Sequence, residues 1–406
     1  MQRSERVETS SGNGIRGEAS FRTHVPFLLY LTAVFYLNFL ARVFLSPLLA
    51  TIESDLKIGH AEVGSLFLFI SMGYFPGILG SGIVSSRLNH RWTIILSSLV
   101  LGGSLLAVSV SHSLVWIRWG LIVLGISAGL YLPSGIAALT DVVSSRHWGK
   151  AIAIHELAPI LAFITAPLLA EGLMIWLSWR GVVAVLGLAA LVTGGVFTSF
   201  TKGGAFFGEP PSPKNLRLLL TNPSFWIIVV FFSMGTAASM GIYSMMPLYL
   251  VTEEGLERSL ANTLVAFSRI AGLGLIFLAG WATDRLGPRR ALGGVFLTCG
   301  MATMLLGLLH EGWILPPLFL QPVLASCFFP AALAALSKIG PPQVTNVAVS
   351  LTMGIAYILA TGGIPTGIGV LGDHGLFSLG FVLVGILLMG CILLLKYLKF
   401  HKDKEG

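Results

Sequence analysis

Stretches of about twenty mostly apolar residues recur along this chain, each the length that a ~30 Å hydrocarbon layer demands of a helix rising ~1.5 Å per residue. Twelve can be read, at 26–51, 62–85, 92–111, 115–140, 150–176, 181–200, 224–250, 259–282, 291–309, 314–337, 346–371 and 377–398, called spans 1 to 12 below. Inside lipid a backbone must satisfy its own polar groups, so segments of this length are read as helices. Only 11% of the residues are charged, against roughly 25% in a soluble domain, so no water-facing surface could be made. The fold class is therefore all-α integral membrane protein, with the lipid bilayer as its first partner.

Lysine and arginine set the orientation. With the N-terminus inside, nineteen of the 25 basic residues fall on the cytoplasmic side. Four (Lys57, Arg118, Arg180 and Arg258) fall outside, and two lie within spans. Such a bias places both termini in the cytoplasm and the chain in the cytoplasmic (inner) membrane. Residues 1–24 are polar and read as a cytoplasmic tail without structure, as do 399–406. The first apolar segment is too long and too late for a cleaved signal peptide, so it stays as span 1. The net charge of +7 comes from scattered residues, which argues against nucleic acid. Cys299, Cys327 and Cys391 sit apart in apolar stretches, with neither disulfide nor zinc spacing.

Internal punctuation repeats at a near-constant offset. Pro47-Leu48 with Glu53 returns as Pro247-Leu248 with Glu253, and Pro133 to Thr140 returns as Pro330 to Ser337. Gly181 and Gly380 each open a similar apolar run. A duplicated chain is expected, with six-helix bundles at 25–200 and 224–398 joined by a cytoplasmic linker at 201–223.

Between spans 8 and 9 stands Gly280-Trp-Ala-Thr-Asp284-Arg285-Leu-Gly287-Pro-Arg289-Arg290. This resembles the loop motif of the major facilitator superfamily. The first half carries a worn copy, Gly82-Ile-Val-Ser-Ser86-Arg87-Leu-Asn89-His90-Arg91, with Ser86 where the family has Asp. Gly149-Lys150-Ala151 and Trp179-Arg180 resemble further family loops, so the likeness runs through the whole chain. The resemblance implies secondary transport by alternating access, a monomer, and a motif that helps hold the cytoplasmic face closed, here through Asp284 more than Ser86. Asp141 and Lys338 occupy matching positions at the ends of spans 4 and 10, and their opposite charges suggest a gate between the halves.

The two intramembrane basic residues are Arg42, about 22 Å along span 1, and Arg269, about 15 Å into span 8. Ionisable groups at that depth are functional candidates by default. The resemblance implies a binding site there, between the halves, and two guanidinium forks would attract a carboxylate or phosphate. Tyr36-Leu-Asn38-Phe-Leu-Ala-Arg42 is similar to the first span of organic-anion members, where an arginine contacts substrate. Asn38, Tyr131, Tyr243, Gln321 and Tyr357 are further candidate contacts on spans that line the family's cavity. The plainer alternative pairs the arginines with carboxylates such as Glu156 or Glu171 of span 5. Glu156 with His155 is also the candidate for proton coupling, with Arg269 as a switchable partner.

The leading expectation is a proton-coupled transporter of a small organic anion. Proton-driven drug export predicts acidic residues at mid-depth, and a sensor would need a soluble domain that the chain lacks. No cofactor is implied, and no nucleophile with its base or zinc-ligand pair suggests an enzyme.

Overall fold

Proline and the two loop motifs dictate where the helices bend, and the computed structural model shows each bend in place. It describes residues 21–199, 203–210, 213–339 and 345–400. Most of the 1–24 tail and of 399–406 lies outside these. Ten helical stretches are long and apolar enough to cross a membrane, and no strand occurs among the described residues. His60–Val110 is one of them, with 51 residues. Straight, it would reach about 75 Å, far beyond a bilayer.

It folds back instead. Ser81 donates to the Leu130 carbonyl at 2.9 Å and Ser97 to that of Ser127 at 2.6 Å, so serines sixteen residues apart touch one turn of span 4. The reversal is at Asn89, with φ 64° and ψ 167°. Its side-chain oxygen accepts from the Trp92 N–H at 3.0 Å, an N-cap for span 3. At the equivalent place in the second half stands Gly287, with φ 79° and ψ 154°. The duplication thus shows in the backbone as well as in the letters. Span 8 accounts for the last difference, because it is broken into Arg258–Ser268 and Gly272–Leu286. With these two divisions, the twelve spans of the sequence are accounted for.

Proline breaks most other spans by removing a helix donor and freeing a carbonyl four residues earlier. Pro47 interrupts span 1 between Phe21–Val43 and Leu49–Leu56. Span 5 turns at Glu156, between Trp148–His155 and Leu157–Met174, just before Pro159. Spans 7 and 11 each contain a π-turn, Ala237–Gly241 and Ile358–Gly363, followed by Pro247 and Pro365. Span 1 begins at Phe21, five residues before the expected start.

Within the first half, spans 2 and 4 pack backbone to backbone. A Cβ on Gly73 would fall 2.0 Å from the Ile122 carbonyl oxygen, and one on Gly125 2.0 Å from that of Ile70. No side chain fits there. The linker is not a plain tether. Arg91 N–H donates to the Gly204 carbonyl at 2.8 Å, and Gly208 N–H to that of Ser85 at 3.1 Å. Residues 203–208 are thereby laid against the worn loop motif, and Pro213–Leu220 forms a short helix.

The bundle has two ends. The linker end carries residues 203–210 and the Gly280–Arg290 loop, and the distal end is opposite. Of nine tryptophans, eight are exposed. Trp92, Trp148, Trp226 and Trp281 ring the linker end, and Trp116, Trp119, Trp176 and Trp313 ring the distal end. Two belts of this kind mark the levels where a bilayer meets water.

Candidate functional site

Span 1 carries Arg42 to the level of the Pro47 bend, and the broken span 8 holds Arg269 between its two helices. A cation at the C-terminal end of Arg258–Ser268 is favoured by the helix dipole. Arg42 is 6% exposed. Its Nη1 donates to the Tyr357 hydroxyl at 3.0 Å, and its guanidinium lies 4.5 Å from the Phe39 ring centre and 4.9 Å from that of Tyr74. Arg269 donates from Nη2 to the Ser239 carbonyl at 3.0 Å and sits 4.8 Å from the ring centres of both Phe163 and Tyr243.

The π-turns supply both polar partners. Ser239 lies within the turn of span 7, and Tyr357 immediately precedes that of span 11. Turns of this kind redirect carbonyls and side chains and are frequent at functional sites. Neither arginine is in an ion pair among the described residues. The buried Nε of each has no partner among the protein atoms. The carboxylate-pairing alternative is therefore not what this conformation contains. Glu171 goes to Arg258 at 3.1 Å and to Asn262 at 2.5 Å, and Glu156 goes to His155 at 3.4 Å.

The two cages touch. Phe39, against Arg42, meets Phe163 edge-on at 5.2 Å, and Phe163 meets Tyr243 at 4.8 Å. A continuous aromatic path thus joins one guanidinium to the other across the halves. Sequence reasoning missed Phe39, Tyr74 and Phe163. Phe39 precedes Arg42 by three residues, which puts both on one helix face and was the available signal.

The remaining polar candidates are spread more widely than expected. Tyr243 is fully buried, and its hydroxyl donates to the Phe163 carbonyl at 3.2 Å. Gln321 donates to the Ala238 carbonyl at 2.9 Å, bracing the π-turn from behind. Asn38 turns into its own half, reaching the Ala128 carbonyl at 3.4 Å and lining a cavity of about 10 Å³ with Ser98 and Thr193. That volume suits a single water at most. Its short side chain does not extend to the Arg42 cage.

His155 and Tyr131 form a separate stack with Phe35. The imidazole lies 4.4 Å from Phe35 and 8° from parallel. Tyr131 donates its hydroxyl proton to the Leu31 carbonyl at 2.9 Å, so its 3.1 Å contact with His155 is filled by an N–H on Nε2. Nδ1 then faces the Glu156 carboxylate at 3.4 Å, a bond that forms only with a proton between them. Glu156 is half-exposed and does not meet Arg269 in this conformation.

The loop residues fall at the linker end. Asp284 is exposed and in no ion pair among the described residues, Arg285 covers Trp281 at 4.6 Å, and Arg289 donates to the Leu398 carbonyl. A Cβ on Gly280 would meet nothing, and Arg290 and Arg87 are exposed. Arg91 donates to the Thr198 carbonyl. Asp141 accepts from Gly204 N–H at 3.0 Å, and Lys338 is exposed, so the expected pair is not formed here.

Among the described residues, the hydrogen bonds between the halves lie at the arginine level or beyond it, toward the distal end. Asp373 of span 11 accepts from the His60 and Ala61 N–H groups at the start of span 2, at 2.7 and 3.0 Å. Ser46 donates to the Tyr243 carbonyl at 2.8 Å, the one that Pro247 leaves free. Asn262 donates to the Pro47 carbonyl at 3.2 Å, and Arg258 to Thr51 at 3.3 Å.

Comparison with known proteins agrees with this architecture. A probable L-galactonate transporter of Escherichia coli K12 is 22% identical over 65% of this chain and 62% of its own length. A 3-(3-hydroxy-phenyl)propionate transporter of the same organism is 25% identical over 63% of this chain and 64% of its own. The chain thus spans less than two thirds of either relative. The crystal structure of a bacterial homologue of the human lysosomal transporter Spinster, inward-facing and occupied, superposes with a TM-score of 0.77. It is 16% identical, with 94% of this chain and 97% of that one covered, and shows the fold alone. The family model of the Major Facilitator Superfamily matches residues 31–361, most of both bundles, and the chain belongs to that superfamily.

Proposed function

We propose that this protein is a secondary active transporter that moves a small organic anion between the two sides of the membrane by alternating access, with Arg42 and Arg269 as the anion site. One observation carries the reading: an arginine from each half lies in an aromatic cage, the two cages touch, and neither guanidinium has a carboxylate. A guanidinium left so in a membrane interior is costly unless an anion completes it. Both relatives are named for organic acids, which supports the same class.

The linker end, rich in lysine and arginine, is the cytoplasmic face. The contacts at the distal end then close the outer side. Glu156 and His155 hold the transported proton, with Tyr131 fixing the imidazole, in line with the hydrogen-bond polarity of the stack.

The test is a thermal-stability screen of purified protein against organic anions, organophosphates, sugars and cationic drugs, repeated with Arg42→Ala and Arg269→Ala. Organic anions should raise Tm, and each variant should lose the shift. Stabilisation by cations alone would sink the anion reading. With the anion so found, Glu156→Gln in proteoliposomes should abolish proton-driven uptake and preserve exchange.

A further inference from the structure

Each guanidinium is flanked by rings, and after one Nη bond to the protein, to Tyr357 or to Ser239, its remaining N–H groups are left for a ligand. Five rings flank the two, and four of them, Phe39, Tyr74, Tyr243 and Tyr357, are buried. Phe163 alone keeps part of its surface open, and it is the ring through which the two cages touch. It stands on span 5 against the half-buried Arg269, with that residue's unpartnered Nε beside it.

Several neighbouring polar groups are already engaged. The Tyr243 hydroxyl is given to the Phe163 carbonyl, and the Tyr357 hydroxyl accepts from Arg42. Gln321 donates to the Ala238 carbonyl and to the Thr303 hydroxyl. A polyhydroxylated acid entering here would lose water from several hydroxyls and find few partners for them. A flat hydrocarbon body loses little and gains ring contact.

We propose that the site selects carboxylates with an aryl or arylalkyl body over polyhydroxylated acids, and that Phe163 is the specificity-determining residue. This rests on the anion reading and narrows it. The ligand carboxylate takes the N–H groups of Arg269 that Ser239 leaves unbonded, while its body lies along Phe163. Burying a hydroxyl without a partner costs free energy, and here it is the hydroxyls of the ligand that would be left unpaired.

Binding of 3-phenylpropionate and of D-gluconate to the purified full chain, by calorimetry or thermal shift, tests this. The expected result is a Kd for 3-phenylpropionate at least tenfold below that for gluconate. Phe163→Leu should raise the former about tenfold and change the latter less than twofold, and Phe163→Tyr should keep the preference. Gluconate bound as tightly as the aryl acid, or both affinities falling equally in Phe163→Leu, would overturn the inference and leave the anion reading standing. No binding of either acid to folded protein, together with a failed anion screen, would overturn both.

Discussion

The two ends of the bundle are held together by different means. At the distal end the halves meet largely through backbone, beside one ion pair of Arg258 with Glu171. The Asp373 carboxylate receives two amide protons from the start of span 2 in the other half, and Ser46 fills the carbonyl that Pro247 frees. Small residues make the approach possible, since a Cβ on Gly369 would lie 2.3 Å from the His60 carbonyl oxygen and one on Gly64 2.6 Å from that of Pro365. At the linker end the groups suited to joining the halves are long, charged and solvated. Asp284 and Lys338 are exposed, and Asp141 is turned to the linker of its own side. A latch made of backbone contacts is steep, because it fits or it does not. A latch of solvated charges is shallow, and a ligand or a proton can bias it.

The largest effect should follow from spoiling the backbone fit. Gly369→Leu places a branched side chain where spans 2 and 11 touch, so the distal end should fail to close. Proton-driven uptake in proteoliposomes should fall at least tenfold. Hydrogen–deuterium exchange should rise in residues 59–66 and 364–374 while spans 3 and 6, away from this contact, stay protected. Unchanged exchange at the distal end would show that this packing is not what closes it.

A smaller effect is expected at the cap. Asp373→Ala removes two hydrogen bonds to a charged acceptor, each typically worth about 1.5–3 kcal/mol when both partners stay otherwise satisfied. Water can reach the freed amides and both bonds share one carboxylate, so the pair together is taken at about 1.5 kcal/mol, roughly a tenfold shift toward the distal-open form. Asp373→Asn keeps a neutral acceptor and should recover part of it. The same exchange measurement reads both variants, and an alanine variant no different from wild type would reduce the cap to an incidental contact.

How far the letters reach differs in the same way between elements. Span length and the duplication are local properties, and each was legible. Arg42 and Arg269 were legible because a charge in a span has few explanations. Their surroundings were not, because the path through Phe39 and Phe163 depends on which spans meet across the halves and at what height. Glu171 shows the same limit. It was read as a partner for the intramembrane arginines, whereas the crossing of spans 5 and 8 brings it to Arg258, near the distal end. Asp373 was not singled out, since nothing in its neighbours announces that it caps a helix 313 residues away in the other half. Asn38 was placed in the site by its nearness to Arg42 in sequence, and the shorter reach of its amide leaves it inside its own bundle.

The smallest effect belongs to the linker end, where Asp141 has two possible roles that one experiment separates. In the present conformation it holds Gly204 N–H, and so helps lay the linker against the worn loop motif. When that end closes, Lys338 at the matching repeat position offers a competing partner, in a solvated pair worth about 1 kcal/mol or less. If the pair forms, Asp141→Lys should slow turnover about fivefold, and adding Lys338→Asp should restore most of the loss. Asp141→Asn keeps an acceptor for Gly204 but removes the charge, so it should resemble the lysine variant under the gate reading and wild type under the linker reading. A double reversal that stays slow, with Asp141→Asn unaffected, would assign Asp141 to the linker alone. The linker end would then close without the charge pair that the repeat suggests.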